Sequence, residues 1–190
     1  MPQPAKTILA CIGAVCLALA VLMVVYLATG LYNVGADSEY TGLMHLALAA
    51  VRERSVDAHA DDVTVPPLDS PKMISDGASD YDEMCTGCHL APGMAENEMR
   101  PGMNPKPPVL AKYPPDSPAE AFWVIKHGIK MTGMPAWGVT HTDAEIWNIV
   151  AFLNKLPTLS PQAYRALVAS AAGHHAHDER QSPMPPGMKM

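Results

Sequence analysis

The chain has 190 residues, of which 48% are hydrophobic, and it carries a formal net charge of −6 at pH 7. This length suits one ordinary domain with additional segments. The negative charge and the lack of a basic stripe argue against nucleic acid as a partner. Nineteen prolines and thirteen glycines favour a loop-rich fold.

Residues 1–7 are a short polar start with one cation, Lys6, and no charged residue occurs from Ile8 to Leu31. An apolar run of this length can span a bilayer, which requires about 20 residues. A cleaved signal peptide is the alternative, but its apolar part usually has about 7–15 residues. We therefore predict a single-pass anchor over residues 8–31 of a bacterial inner membrane. Lys6 favours a cytoplasmic N-terminus, which leaves the remaining chain in the periplasm.

Residues 32–62 are predicted to contain a membrane-proximal helix over Gly42–Ala60, with Ser38 as its N-cap. Two roles are open for this helix: it lies against the membrane or a partner subunit, or it is only a spacer. Residues 63–70, which include Pro66-Pro67, are predicted to form a stiff linker. Apolar residues at helical spacing give the helix one imperfect stripe: Met44, Ala47, Leu48 and Val51.

The next predicted segment, residues 71–157, contains the motif Cys85-Thr86-Gly87-Cys88-His89. Two cysteines separated by two residues and followed by histidine indicate covalent attachment of a c-type haem. On one helical turn both thiols can add to vinyl groups of one porphyrin, and His89 can then bind the iron. A thioredoxin-like redox pair needs a βαβ pattern, and a zinc site needs a second ligand pair. A plain disulfide is the remaining alternative, and the adjacent histidine favours haem over it.

A helix begins at Pro71, after Ser70 as N-cap, and leads into this motif. Gly77 and Tyr81 share one of its faces. Residues 90–118 hold many prolines and no periodicity, which is expected of a loop that wraps a cofactor. Within this loop Arg100 is a candidate partner for a haem propionate, because guanidinium pairs with carboxylates through two hydrogen bonds. An ordinary surface arginine is the alternative.

A further helix is predicted from Pro118 to His127, with Gly128 ending it. Beyond it, Gly133 and Pro135 hold Met134 in a rigid loop. A thioether is a soft ligand for an iron that has histidine on its other face. We predict Met134 as the second axial ligand, with Met131 as its rival.

Thr142 and Glu145 predict a capping box for a helix through Leu156, followed by a short C-terminal helix over residues 158–172. Residues 173–190 are expected to be a flexible tail. Imidazole and thioether ligands suit copper, so the tail is a candidate copper site, against the alternative of a tail with no specific metal. Its candidate ligands are His174, His175, His177, Met184, Met188 and Met190.

The motif at Cys85–His89, the Met134 loop and the last amphipathic helix resemble class I cytochrome c. The stretch from Thr132 to Trp137 is especially similar to bacterial cytochromes related to the haem domain of cbb3-oxidase subunit III. The resemblance covers roughly residues 71–157. It implies an all-α fold of a few helices around one covalent haem c. It also implies thioether anchors at Cys85 and Cys88, and axial ligands at His89 and Met134.

We therefore expect a membrane-anchored monohaem cytochrome that carries single electrons between membrane or periplasmic redox proteins. We expect that it is an electron carrier and not an enzyme, because an iron with two protein ligands has no open coordination position for a substrate. A haem-bearing subunit of a larger oxidase or dehydrogenase is the main alternative. A peroxidase or gas sensor would require a displaceable Met134.

Overall fold

The computed structural model describes residues 3–38 and 41–175 and divides them between two units, residues 1–38 and 39–190. The first unit is dominated by α1 (Gln3–Ala28). This helix is long and apolar enough to cross a membrane, a test that a signal sequence passes as well.

The second unit is a set of helices joined by long loops. Among the described residues no β-strand occurs, which confirms the predicted all-α class. Short 3-10 turns lie at Arg100–Gly102, Trp137–Val139 and Leu156–Thr158. Six α-helices follow one another: α2 (Gly42–Ala60), α3 (Pro71–Met84), α4 (Thr86–His89), α5 (Pro118–His127), α6 (Asp143–Leu153) and α7 (Pro161–His175).

The crossing of α3 and α6 is the centre of the domain. A Cβ atom on Gly77 would overlap the backbone carbonyl of Asn148, so only glycine permits this approach. One turn later Tyr81 packs on Phe152, with ring centroids 5.2 Å apart and both side chains fully buried. Gly77 and Tyr81 both contact α6, which confirms the prediction that they share one face of their helix.

Helices α5 and α7 close the core around this crossing. Phe122 of α5 stacks on Trp147 of α6, with centroids 4.2 Å apart. Tyr164 of α7 packs on Phe152, and its hydroxyl donates to a carboxylate oxygen of Asp82 at 2.5 Å. Burial and this hydrogen bond raise the pKa of Tyr164, so the hydroxyl keeps its proton at neutral pH.

Three details differ from the sequence-based expectation. α2 takes Thr41 as its N-cap instead of Ser38. α6 ends at Leu153, three residues before the predicted end, and is followed by a 3-10 turn over Leu156–Thr158 that contains Pro157. α7 continues to His175, past the predicted end at residue 172. The rest of the tail, from residue 176, lies outside the described residues.

The predicted apolar stripe of α2 is not packed into the domain, because Val51 is 68% exposed. The helix instead buries Val56 and Ala60, which are four residues apart and face α5. His59 lies over the ring of Trp123 in α5, with centroids 5.2 Å apart. The C-terminal half of α2 is thus the part packed on the domain.

Candidate functional site

The predicted haem-binding residues converge on one cavity of about 580 Å³. Its walls come from the Cys-x-x-Cys-His motif, the proline-rich loop, the helices α2 and α5, and the loop after α5. Cys85, Cys88, His89 and Met134 all line it. The structure therefore brings together four of the five predicted site residues, which lie up to 49 positions apart in the sequence.

The two cysteines lie at the junction of α3 and α4. Cys85 is the C-cap of α3, and α4 carries Cys88 and His89. The hydroxyl of Thr86 donates to the backbone carbonyl of Asp82 at 2.7 Å, which ties the two helices together. Burial raises the pKa of the Cys85 thiol to about 12, and the charges of Asp80 and Cys88 add to this effect.

The imidazole of His89 has one nitrogen engaged by the protein. Its Nδ1 lies 2.9 Å from the backbone carbonyl of Pro108, and a carbonyl can only accept, so Nδ1 carries the proton. Nε2 then has a lone pair available for a metal, the arrangement commonly found at metal-binding histidines. Burial lowers the pKa of His89, and the charge of Arg100 adds to this, against the opposing effect of the Pro108 bond. A neutral imidazole is the form that binds iron.

Arg100 is buried, with 3% of its surface exposed, and it is not among the described residues that line the cavity. Its guanidinium donates to the backbone carbonyl of Cys88, to that of Pro107 at 3.0 Å and to Glu96 at 3.4 Å. It therefore joins the motif to the loop that also orients His89. Contact with a propionate stays a prediction.

The loop with Met134 is held by close backbone contacts and by hydrogen bonds of the Thr132 hydroxyl. Gly128 has φ +64°, and a Cβ atom there would approach the carbonyl oxygen of Met134 to 2.7 Å. The hydroxyl of Thr132 accepts from the Met134 N–H at 3.1 Å and donates to the Ile129 carbonyl at 2.8 Å. Met131, the rival ligand, is 77% exposed and does not line this cavity in the described part of the chain.

The cavity fits a haem c by the chemistry of its lining. Two thiols are available for vinyl groups, and one imidazole nitrogen and one thioether are available for iron. Apolar side chains suited to a porphyrin surround them, such as Leu110, Val124, Ile125, Trp137 and Leu153.

Comparison with known proteins agrees with this chemistry. Residues 72–153 match the family model described as cytochrome c oxidase, cbb3-type, subunit III. This segment is a class I cytochrome c haem domain. Such a domain binds haem c and transfers electrons, which is the work of an electron carrier and not of a catalytic enzyme. No curated protein and no solved structure matches the chain.

Sequence reasoning missed three residues of this cytochrome domain and its surroundings. Asn97 donates to the Gly87 carbonyl at 2.7 Å, and its side-chain oxygen accepts from the N–H of Arg100 at 3.2 Å. An Asx turn three residues before Arg100 was a readable signal for this bond. Arg52 and Lys106 line the haem cavity, and nothing in their local sequence indicates it.

Proposed function

We propose that the chain is a membrane-anchored monohaem c-type cytochrome that carries single electrons on the periplasmic side of the inner membrane. One observation supports this most: a single cavity is lined by two thiols, a correctly paired imidazole and a thioether. When bound, the haem supplies reversible one-electron chemistry of its iron. The protein's part is to hold it, to ligate it and to set its potential.

In this proposal Cys85 and Cys88 anchor the cofactor, and His89 and Met134 are the axial ligands. A histidine–methionine pair raises the reduction potential. The bond from His89 to the Pro108 carbonyl fixes the ring orientation. Arg100 is proposed to serve the cofactor site by fastening the backbone on both sides of His89.

The anchor is proposed to be the apolar segment 8–31, followed by a cytochrome domain over residues 71–157. Donor and acceptor proteins of a respiratory chain would dock at the haem edge through a small interface, as is usual for electron-transfer encounters. Tethering to the bilayer raises the effective concentration of the cytochrome near membrane partners.

The first test is production of the full chain in a host that attaches haem to such motifs. The proposal expects a coloured protein with the mass of the polypeptide plus one haem. A colourless product at the mass of the bare polypeptide would overturn it.

The second test concerns the ligand pair. Ferric haem bound to methionine gives a weak far-red absorption band, which is expected to vanish in Met134→Ala. Met131→Ala is the matched control and is expected to keep the band. The opposite result would make Met131 the ligand and refute our assignment.

A second candidate is a haem-bearing subunit of a larger oxidase or dehydrogenase. The outer surface of α2 favours it, because Leu43, Leu46 and Val51 are each more than 60% exposed. Purification in mild detergent distinguishes the two candidates. Co-purifying subunits in fixed ratio support the second, and a lone small cytochrome supports the first.

Copper binding by the His/Met tail stays a prediction, since its metal-binding side chains lie outside the part of the structure described at side-chain level. Removal of the residues after Gly173 is expected to abolish copper binding and to leave the haem spectrum unchanged. Equal copper binding by both forms would refute it.

A further inference from the structure

Helix α2 lies outside the segment matched to the cytochrome family, yet it forms part of the haem cavity. His45, Arg52 and Val56 of this helix are among the residues that line it. Arg52 precedes the buried Val56 by four positions, so both belong to the face of α2 that meets the domain. The family-matched domain alone therefore leaves one wall of this cavity unbuilt.

The same face of α2 covers a second space of about 1080 Å³, which we call the basic groove. Among the residues that the structure describes, its lining contains no aspartate or glutamate, although the whole chain carries a net charge of −6. The basic and imidazole side chains that line it are Arg52, Lys106, Lys130, His45, His59 and His127.

The groove and the haem cavity share Arg52 and Lys106, so the two spaces adjoin at these side chains. The haem cavity has carboxylates in its lining as well, Asp116 and Glu120, and neither of them lines the basic groove. The cavity thus has two cations where it adjoins the groove, and its two lining carboxylates do not border the groove.

A haem c carries two propionate carboxylates on the edge of the ring opposite its vinyl groups. These carboxylates are repelled by Asp116 and Glu120 and attracted by Arg52 and Lys106. We propose, on the basis of the proposed haem function, that Arg52 of α2 and Lys106 bind the haem propionates. The membrane-proximal helix then completes the haem site.

The present partner of Arg52 leaves this cation available for the role. Arg52 pairs with its sequence neighbour Glu53 at 3.5 Å, and the two side chains are 40% and 67% exposed. An exposed pair of this kind is weak and yields to a carboxylate that enters from the cavity side. Lys106 has a closer partner, Glu96 at 2.5 Å, so Arg52 is the cleaner residue to test.

The experiment compares Arg52→Gln with Arg54→Gln in the full haem-bearing chain. Arg54 is exposed on the same helix and lines neither cavity in the described part of the chain, so both variants lose one positive charge from α2. Two quantities are measured in each: the reduction potential and the propionate bending mode in the resonance Raman spectrum, which responds to hydrogen bonding of the carboxylates.

Arg52→Gln is expected to lower the reduction potential, because an unpaired propionate stabilises the ferric iron, and to shift the propionate mode. Arg54→Gln is expected to change neither, and Arg52→Lys is expected to restore most of the potential. If Arg52→Gln and Arg54→Gln give the same potential and the same propionate mode, this inference is overturned. The proposed function still stands in that case, provided that both variants carry haem and show the far-red band. A chain without haem would instead overturn the proposed function itself.

Discussion

Helices α3 and α6 meet through wholly buried side chains, whereas the walls of the neighbouring haem cavity are mainly loops with partly exposed side chains. The crossing is held by apolar packing around Tyr81 and Phe152. The cavity walls are held by hydrogen bonds to backbone carbonyls, such as those from His89 to Pro108 and from Arg100 to Pro107.

The difference shows that the two regions of this small domain are stabilised by different interactions. Close packing gives the crossing a single, well-defined geometry. The loops have little apolar surface to bury against each other, so polar side chains must fix them. The hydroxyl of Tyr81 links both regions, because it donates to the Leu90 carbonyl, directly after the motif, at 2.6 Å.

The largest effect is expected from Gly77→Ala, which tests the crossing. The added Cβ atom would overlap the backbone of Asn148. Backbone atoms cannot move aside in the way that the end of a flexible side chain can. We expect a loss of about 3 kcal/mol in the free energy of unfolding, measured by denaturant titration of the haem-bearing protein. The control is Gly102→Ala, because no described atom lies within 4 Å of a Cβ atom there. Equal stability of the two variants would contradict the close crossing.

Arg100→Gln tests the cavity walls. It removes a buried charged donor and leaves the carbonyls of Cys88 and Pro107 without this partner. We expect a loss of about 2 kcal/mol in the free energy of unfolding. Arg54→Gln, an exposed arginine on α2, is expected to stay within about 0.5 kcal/mol of the unchanged protein. If both variants unfold alike, the loop does not depend on Arg100.

Tyr81→Phe tests the link between the two regions. The phenyl ring still packs on Phe152, but the buried Leu90 carbonyl loses its donor. A loss of about 1–2 kcal/mol is expected by thermal or denaturant unfolding. Tyr113→Phe serves as the control, since Tyr113 is 68% exposed. A larger loss in Tyr113→Phe would refute the role given to the buried hydroxyl.

The smallest effect is expected at the start of α6. Thr142→Ala removes a capping box that the structure shows complete, with the Glu145 N–H bound to the threonine hydroxyl. This is expected to cost about 1 kcal/mol of unfolding free energy. Thr41→Ala at the N-cap of α2, where the side chain makes no cap bond, is expected to cost less. The reverse order would show that the cap does not stabilise the crossing.

Local signals predicted much of this architecture. The capping box at Thr142, the stop at Gly128 and the pairing of Gly77 with Tyr81 follow from short-range rules of helix geometry, and the structure confirms each. The predicted end of α6 at Leu156 was wrong, because the choice between an α-helix and a 3-10 turn depends on packing that the sequence pattern does not report.

By itself the sequence indicated the chemistry of this protein, since residue type and spacing at Cys85–His89 are typical of haem c attachment. Only the tertiary structure decided which distant groups surround that chemistry. In the folded chain, His89 donates to the Pro108 carbonyl, Arg100 donates to backbone carbonyls, and Arg52 of α2 lines the cavity. These contacts join residues 12 or more positions apart in the chain. They form only when the loops and helices fold back on one another, which no local pattern encodes.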